Sequence, residues 1–257
     1  MKIDLGAAAT AAWALFRRDR DVLLALTGMF LFLPTLATLL LIGPAPQRPT
    51  ADAGKAVIDA WTTHYADWLS TNLPGIGAAA LLAMLGGLSI TAFYADRARP
   101  DVGSALAIGL RRLPAFFAQS LMLSLPASIG FLGLLSPALF ILLLPGRWFL
   151  GRGLVAGVAL VAEGAGPITG IRRSFALTRG NGLMLAGLAA IGAFGGELLA
   201  APFTALADAM RSADAVNPVA MTLTNIGAAA VAAAVALAMI LLRVTIYWAV
   251  ADAGDRG

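Results

Sequence analysis

Apolar and polar positions alternate on a coarse scale along this chain: long apolar runs are separated by short segments rich in arginine. Six runs, at residues 22–42, 73–95, 115–135, 137–161, 182–207 and 219–250, reach the ~20 residues needed to cross the hydrocarbon core of a bilayer. The pattern predicts an all-α fold, a polytopic membrane helix bundle in one integral membrane domain over residues 1–257, with six transmembrane helices and additional interfacial amphipathic helices. The sixth run is overlong and predicts a tilted helix or one extending into the cytoplasm. Runs three and four are separated by Ser136 alone, which predicts a tight hairpin, and Pro126 and Pro145 predict kinks or local breaks. The first run follows Arg17, Arg18, Asp19 and Arg20 and is long enough to span, so it reads as an uncleaved first helix.

Three segments carry a helical rather than a uniformly apolar pattern. The first starts at Asp4 and places Leu5, Ala8, Ala9, Ala12, Trp13 and Phe16 on one face before Arg17 and Arg18. The second starts at Asp101 and ends at Arg111 and Arg112. The third starts at Gly166-Pro167 and carries Arg172, Arg173, Phe175 and Arg179. Each opens on a helix-start signal, either an N-cap aspartate or a proline in the first turn. Each also leads into an outgoing apolar run. The resulting unit, an interfacial helix with a span out and a span back, recurs at about residues 4–95, 101–161 and 166–250. It predicts a threefold parallel repeat about an axis along the membrane normal, not the inverted repeat of many transporters. Convergence on a common surface pattern is the alternative, since any helix on the inner face benefits from arginines near anionic lipid.

Between the first two runs, residues 43–72 form the one sizeable outer segment. It opens on Pro44, Pro46 and Pro49, then gives a helix candidate over residues 55–70 with Ile58, Trp61, Tyr65, Trp68 and Leu69 on one face. That face predicts a separate helix lying on the outer membrane interface. His64 falls within it and reads as a solvated or interfacial side chain.

Composition agrees with lipid as the solvent: 60% of residues are hydrophobic and 12% charged, against about 25% charged in a soluble domain. The absence of cysteine excludes disulfides and thiolate chemistry, and a single histidine excludes a multi-histidine metal site. No phosphate-binding loop or zinc-protease motif is present, and a Ser–His pair within the bilayer is excluded by the position of His64. No cofactor and no metal are expected. The net charge of +4 matters less than its distribution. With the N-terminus inside, 12 of the 18 basic residues fall on inner segments, including Arg17, Arg18, Arg111, Arg112, Arg172, Arg173 and Arg179, while Arg48, Lys55 and Arg211 lie outside. The positive-inside rule then puts both termini in the cytoplasm. It also accounts for the basic face without nucleic acid. The expected partners are membrane lipids, with anionic headgroups at the cytoplasmic face, and a second membrane protein.

Arg147 and Arg152 in the fourth run, Glu197 in the fifth and Arg243 in the sixth are ionisable groups inside apolar spans, and Glu163 ends the fourth run. Arg147 and Arg152 lie about 140° apart on a helix, so they need not share a partner. On one reading the arginines snorkel to phosphates while Glu197 pairs between helices. On the other, these five residues line a polar site for an anionic headgroup or a proton. Gly153–Gly157 and Gly192–Gly196 are GxxxG pairs, which let helices approach closely in lipid and predict packing within the bundle. Trp13, Phe93, Tyr94, Tyr247 and Trp248 read as interfacial anchors.

Residues 145–180 carry a more specific signal. Pro145-Gly146-Arg147-Trp148, Arg152, the run from Val158 to Glu163, Gly166-Pro167 and the run from Arg172 to Gly180 together form an arginine-bearing span, an acid, a Gly-Pro and an R-S-x-x-L-T-x-G helix. This resembles the membrane-domain family of glycerophosphoryl diester phosphodiesterases, six-span bacterial membrane proteins that in some members precede a soluble catalytic domain. The motifs of that catalytic domain have no counterpart in these residues. The resemblance therefore implies an accessory, scaffold or lipid-related membrane role and not hydrolysis. The leading expectation is a non-enzymatic protein of a bacterial inner membrane acting in lipid or envelope homeostasis. The alternative is a small carrier or flippase for an anionic lipid or solute. A polar lateral cavity reaching mid-bilayer favours the carrier, and a closed apolar core favours the scaffold.

Overall fold

The computed structural model describes residues 3–50, 52–95, 100–131, 143–211 and 217–254, and among these there is no strand. Helix α1 (Leu5–Arg18) starts where Asp4 accepts a hydrogen bond from the Ala7 N–H at 3.0 Å, satisfying one of the free donors of a helix start. Arg17 and Arg18 occupy its last turn, where the helix dipole favours cations. Its small-residue face, Ala8 and Ala12, is buried.

The first span begins as α2 (Arg20–Thr27), continues through a π turn over Gly28–Phe32, and ends as α3 (Leu33–Leu41). Pro34 has no N–H to give to the helix ladder, and it follows directly on the stretch where that ladder has already changed register. Helix α4 (Lys55–Ala95) is a single unbroken helix of 41 residues. At 1.5 Å per residue it is about 60 Å long, twice the ~30 Å hydrocarbon core. Residues 55–70 are therefore not a separate interfacial helix, as the amphipathic pattern predicts, but the extension of the second span. Pro74 lies inside α4 without ending it. The Pro-rich loop folds back on this extension: Trp61 donates to the Pro46 carbonyl at 3.2 Å and Trp68 to that of Gly43 at 3.1 Å. Trp61, Tyr65 and Trp68 stack in series, and His64 points outward and is exposed.

Helix α5 (Val102–Phe131) starts at Asp101, which accepts from the Ser104 hydroxyl at 2.6 Å and from the Ser104 N–H at 3.0 Å. These bonds hold its carboxyl below the usual carboxylate range, the hydroxyl contributing most. No break separates Arg111 and Arg112 from the apolar residues that follow, so the second unit has no interfacial helix of its own. The junction of runs three and four at Ser136, and with it the predicted hairpin, lies outside the described residues. So do Lys2, Arg97, Arg99 and Arg256. The fourth run is not one helix either: α6 (Leu143–Arg152) gives way to a turn at residues 153–155, and α7 (Ala156–Ala162) resumes. After Glu163, α8 (Pro167–Leu177) starts with Pro167 in its first turn. The backbone then reverses at Gly180, whose φ of 84° suits glycine alone among common residues, and enters α9 (Gly182–Arg211). Helix α10 (Pro218–Gly254) completes the bundle.

Four helical stretches are long and apolar enough to cross a membrane among the described residues: Arg20–Leu41, Lys55–Ala95, Gly182–Arg211 and Pro218–Asp252. They match predicted spans one, two, five and six. The core gathers along α10, through Leu237, Leu241, Val244 and Ile246, with Leu23 and Leu26 of α2, Ile90 of α4 and Leu185 of α9. Without a hydrophobic driving force between helices in lipid, close packing must do this work. Both GxxxG pairs face inward. A Cβ at Gly192 would lie 2.7 Å from the Met239 sulfur of α10, and one at Gly157 would lie 2.7 Å from the Phe116 ring of α5.

Candidate functional site

The polar side chains converge at one end of the bundle, where α1, the starts of α2 and α5, the ends of α4 and α10, and the α6–α8 connection meet. Arg152 closes α6 and is the best-held of the intramembrane candidates. Its Nε donates to Thr178 Oγ1 at 3.0 Å, and its Nη2 donates to the Phe175 carbonyl. Both acceptors belong to the C-terminal end of α8. The guanidinium also lies 5.2 Å from the Trp148 ring centroid and 5.1 Å from that of Phe175. A single cation thus serves the negative ends of α6 and α8, the position where the helix dipoles favour it. The contact is reciprocal, because the Arg152 carbonyl accepts from Ser174 Oγ at 2.6 Å and from Thr178 Oγ1 at 3.2 Å. Ser174 and Thr178 are both fully buried.

Glu163 is the second fixed point. Its Oε1 accepts from Arg173 Nε at 2.8 Å and from the Tyr247 hydroxyl at 2.8 Å, tying the α7–α8 connection to α10. Next to it Gly164 turns with φ of 64°, and its carbonyl accepts from Arg112 at 3.1 Å. Gln119, 1% exposed on α5, donates to the carbonyls of Ala156 and Pro167 at 3.3 and 3.2 Å. On the opposite side Asp19 accepts from Arg18 and from the Tyr94 hydroxyl, each at 3.0 Å. Thr245 donates to the Ala8 carbonyl at 3.0 Å, and the Ile3 N–H to Asn181 at 3.2 Å. These contacts lock α1 onto α10 and onto the turn between α8 and α9.

The five candidate charges do not share one cavity. Arg147 lies over the Phe194 ring of α9, 4.7 Å from its centroid. Glu197, one turn beyond Phe194, is exposed and forms no ion pair among the described residues. Arg243 projects from α10 with its Nε buried and without a hydrogen-bond partner. The basic set divides in two. Arg18, Arg112 and Arg173 are engaged within the fold, whereas Arg17, Arg111, Arg172 and Arg179 are exposed. Tyr94 and Tyr247 are 7% and 3% exposed, so they are internal ties and not interfacial anchors. Trp13, 57% exposed and stacked on Phe16, keeps the anchor position.

The sequence pattern passes over the roles of Asp19, Gln119 and Thr178 and reads Tyr247 as an anchor, although Gln119 is a lone amide inside an apolar run and Thr178 falls within the R-S-x-x-L-T pattern. Among the described residues no group of histidine, aspartate and glutamate is arranged to hold a metal ion. The described residues are all-helical, and four long apolar helices among them are compatible with residence in a membrane. No protein-family model matches it, and neither a curated protein nor a solved structure matches it.

Proposed function

We propose that this chain is a non-enzymatic, multi-pass protein of a bacterial cytoplasmic membrane that acts as an accessory or scaffold in lipid and envelope homeostasis, docking anionic headgroups on its basic end. The observation that carries this reading is the division of the polar groups. Arg152 and Glu163 hold helices to one another, while Arg17, Arg111, Arg172 and Arg179 stay exposed at the same end. The proposal includes six spans, with α5 as the third and α6–α7 completing the fourth, both termini cytoplasmic, and kinship to the phosphodiesterase membrane-domain family. The proposal also keeps the threefold parallel repeat, with a separate helix before the span in the first and third units and a helix continuous with the span in the second.

The test is lipid retention by the full chain, purified in mild detergent with equal phosphatidylglycerol and phosphatidylcholine and read by native mass spectrometry. Phosphatidylglycerol should be retained preferentially, and a variant with Arg17, Arg111, Arg172 and Arg179 changed to Gln should lose that preference. An unchanged preference overturns the headgroup reading. Absence of cysteine makes topology testable as well: Thr10→Cys and His64→Cys should label from opposite sides of the membrane. The runner-up, a carrier for an anionic lipid or solute, is favoured by the partnerless Nε of Arg243.

A further inference from the structure

Between α1, the α2–π-turn segment and α10 lies a laterally open groove of about 630 Å³. Trp13 and Phe16 form one wall, Leu24, Thr27 and Phe32 the other, and the floor is α10 from Ala230 to Leu242. From Ala230 to Leu242, thirteen residues, α10 rises about 18 Å, close to the ~15 Å that one leaflet contributes to a bilayer's hydrocarbon core. The floor is low because Ala230, Ala233, Ala234 and Ala238 supply only methyl groups.

Thr27 carries the one hydroxyl in this lining. It is 7% exposed, and its hydroxyl has no hydrogen-bond partner. Four other threonines within apolar helices, Thr35, Thr38, Thr91 and Thr224, return their hydroxyl to the carbonyl four residues back at 2.7–2.9 Å. Thr27 sits directly before the π turn and does not. A hydroxyl shielded from water without a partner is costly, and a turn about its Cα–Cβ bond brings it toward the groove that Thr27 lines, so an occupant that offers it an acceptor there gains. The charge at one end of the groove completes the pattern. Arg17 lies one turn beyond Trp13 on α1, and Arg20 one turn before Leu24 on α2; both are exposed.

We propose that this groove binds one anionic glycerophospholipid: an acyl chain lies on the alanine floor of α10, an ester carbonyl accepts from Thr27, and the phosphate meets Arg17 and Arg20. The proposal rests on the lipid-docking reading above and gives it a built site. Neither a second copy of this chain nor a partner's helix supplies both an acceptor for Thr27 and an anion for the two arginines without further devices.

The experiment uses the full chain in nanodiscs and native mass spectrometry with phosphatidylglycerol or phosphatidylcholine as probe. Ala234→Phe, at an exposed floor position, should abolish the tightly retained lipid by steric exclusion. Thr27→Val should weaken retention about fivefold, the loss of one hydrogen bond. Arg17→Gln with Arg20→Gln should lower the preference for phosphatidylglycerol about fivefold per arginine. If Ala234→Phe fails to fold, a bimane probe on Ala230→Cys provides the second measurement. Phosphatidylglycerol brominated on its acyl chain should quench the probe at a lower mole fraction than the brominated phosphatidylcholine does. Equal quenching by both lipids overturns the proposal. So does full lipid retention by Ala234→Phe, or loss in that variant of a dimer or a co-purifying protein in place of a lipid. If the wild type prefers phosphatidylglycerol and the groove variants leave that preference intact, the site is wrong and the docking reading stands. If the wild type shows no preference, both fall.

Discussion

Replacing Arg152 with methionine removes a cation while keeping an apolar stem of similar length. The change breaks the bond to Thr178 Oγ1 at 3.0 Å and the one to the Phe175 carbonyl, and it removes a cation from between two aromatic rings. Hydrogen bonds to charged groups contribute about 1.5–3 kcal/mol in soluble proteins. Interhelical polar contacts in membrane proteins average only about 0.6 kcal/mol, because the unfolded chain in the membrane also finds partners. Each cation–π contact adds about 0.5–1 kcal/mol at a site of this exposure. With the membrane value for the two hydrogen bonds and the lower cation–π value, the loss is about 2 kcal/mol, and the top of the soluble-protein range sets an upper bound near ~7 kcal/mol. The bonds from Ser174 and Thr178 to the Arg152 carbonyl survive, since they use the main chain. The assay is reversible unfolding in mixed micelles with rising sodium dodecyl sulfate, followed by circular dichroism. Arg152→Lys should recover less than half, because an ammonium cannot serve both acceptors in the planar geometry of the guanidinium. A double-mutant cycle with Thr178→Val isolates the shared bond. Stability of Arg152→Met within about 0.5 kcal/mol of wild type, the additivity error of such cycles, would refute the claim that this arginine joins α6 to α8.

Four further outcomes follow from the same geometry. Glu163→Gln keeps an acceptor for Tyr247 and weakens a part-exposed ion pair, so it should cost under about 1 kcal/mol, whereas Glu163→Ala should cost about 2 kcal/mol; equal costs in detergent unfolding would mean that charge and not hydrogen bonding holds the junction. Arg243→Met removes a cation whose Nε is buried without a partner and should leave stability unchanged or raise it by about 1–3 kcal/mol; a clear loss would mean that an anion or a lipid satisfies it. Gly151→Ala places a Cβ against the backbone of Ala186 and 2.7 Å from the Gly182 carbonyl, so α6 and α9 must separate, at a cost of about 1–3 kcal/mol in the same assay. The depressed pKa of Asp101 means that the start of α5 is held above the ordinary carboxylate range and released as pH falls through the lowered value; the Ser104 amide should therefore titrate with a midpoint below the ~3.9 of a free aspartate, and Ser104→Ala should move that midpoint upward.

Where single runs of twenty apolar residues stand alone, the sequence and the fold agree: spans one, five and six are long helices within a few residues of their predicted limits, and span two ends at its predicted limit but begins 18 residues earlier, at Lys55. Agreement fails where hydropathy averages over local chemistry. The fourth run is apolar enough to read as one helix, but Gly153 at the end of α6 and the demands of Arg152 and Thr178 turn the chain at residues 153–155. Residues 55–70 have an amphipathic face, and nothing in the pattern says that Asn72 and Pro74 leave the helix unbroken into the next span. The candidate site was legible by type and not by partner. Arginines inside apolar runs announce that something must satisfy them, but only packing decides that Arg152 meets the Thr178 hydroxyl and the Phe175 carbonyl, and Glu163 a tyrosine from α10. Thr27 was invisible, because a threonine in an apolar helix normally satisfies itself.

Satisfied and unsatisfied polar groups therefore carry different information in this bundle. A buried group with good partners stabilises or orients helices, and its removal is felt in folding. A polar group left without a partner in an apolar surround is costly, so an external partner is the simplest reason for a fold to tolerate one. By that criterion Arg152, Glu163, Gln119 and Asp19 belong to the scaffold, since each has its acceptors or donors within hydrogen-bond distance. Thr27 and Arg243 each keep a buried polar atom without a partner, and they lie on different sides of α10: Thr27 borders the lateral groove with Ala234 and Ala238, whereas Arg243 projects one turn before Tyr247. A carrier would need those two positions joined by a polar path through the bundle. Between them stand Leu237, Leu241 and Val244, none more than 6% exposed. This apolar seam favours a protein that holds lipid at its flank over one that passes an ion or solute through its centre.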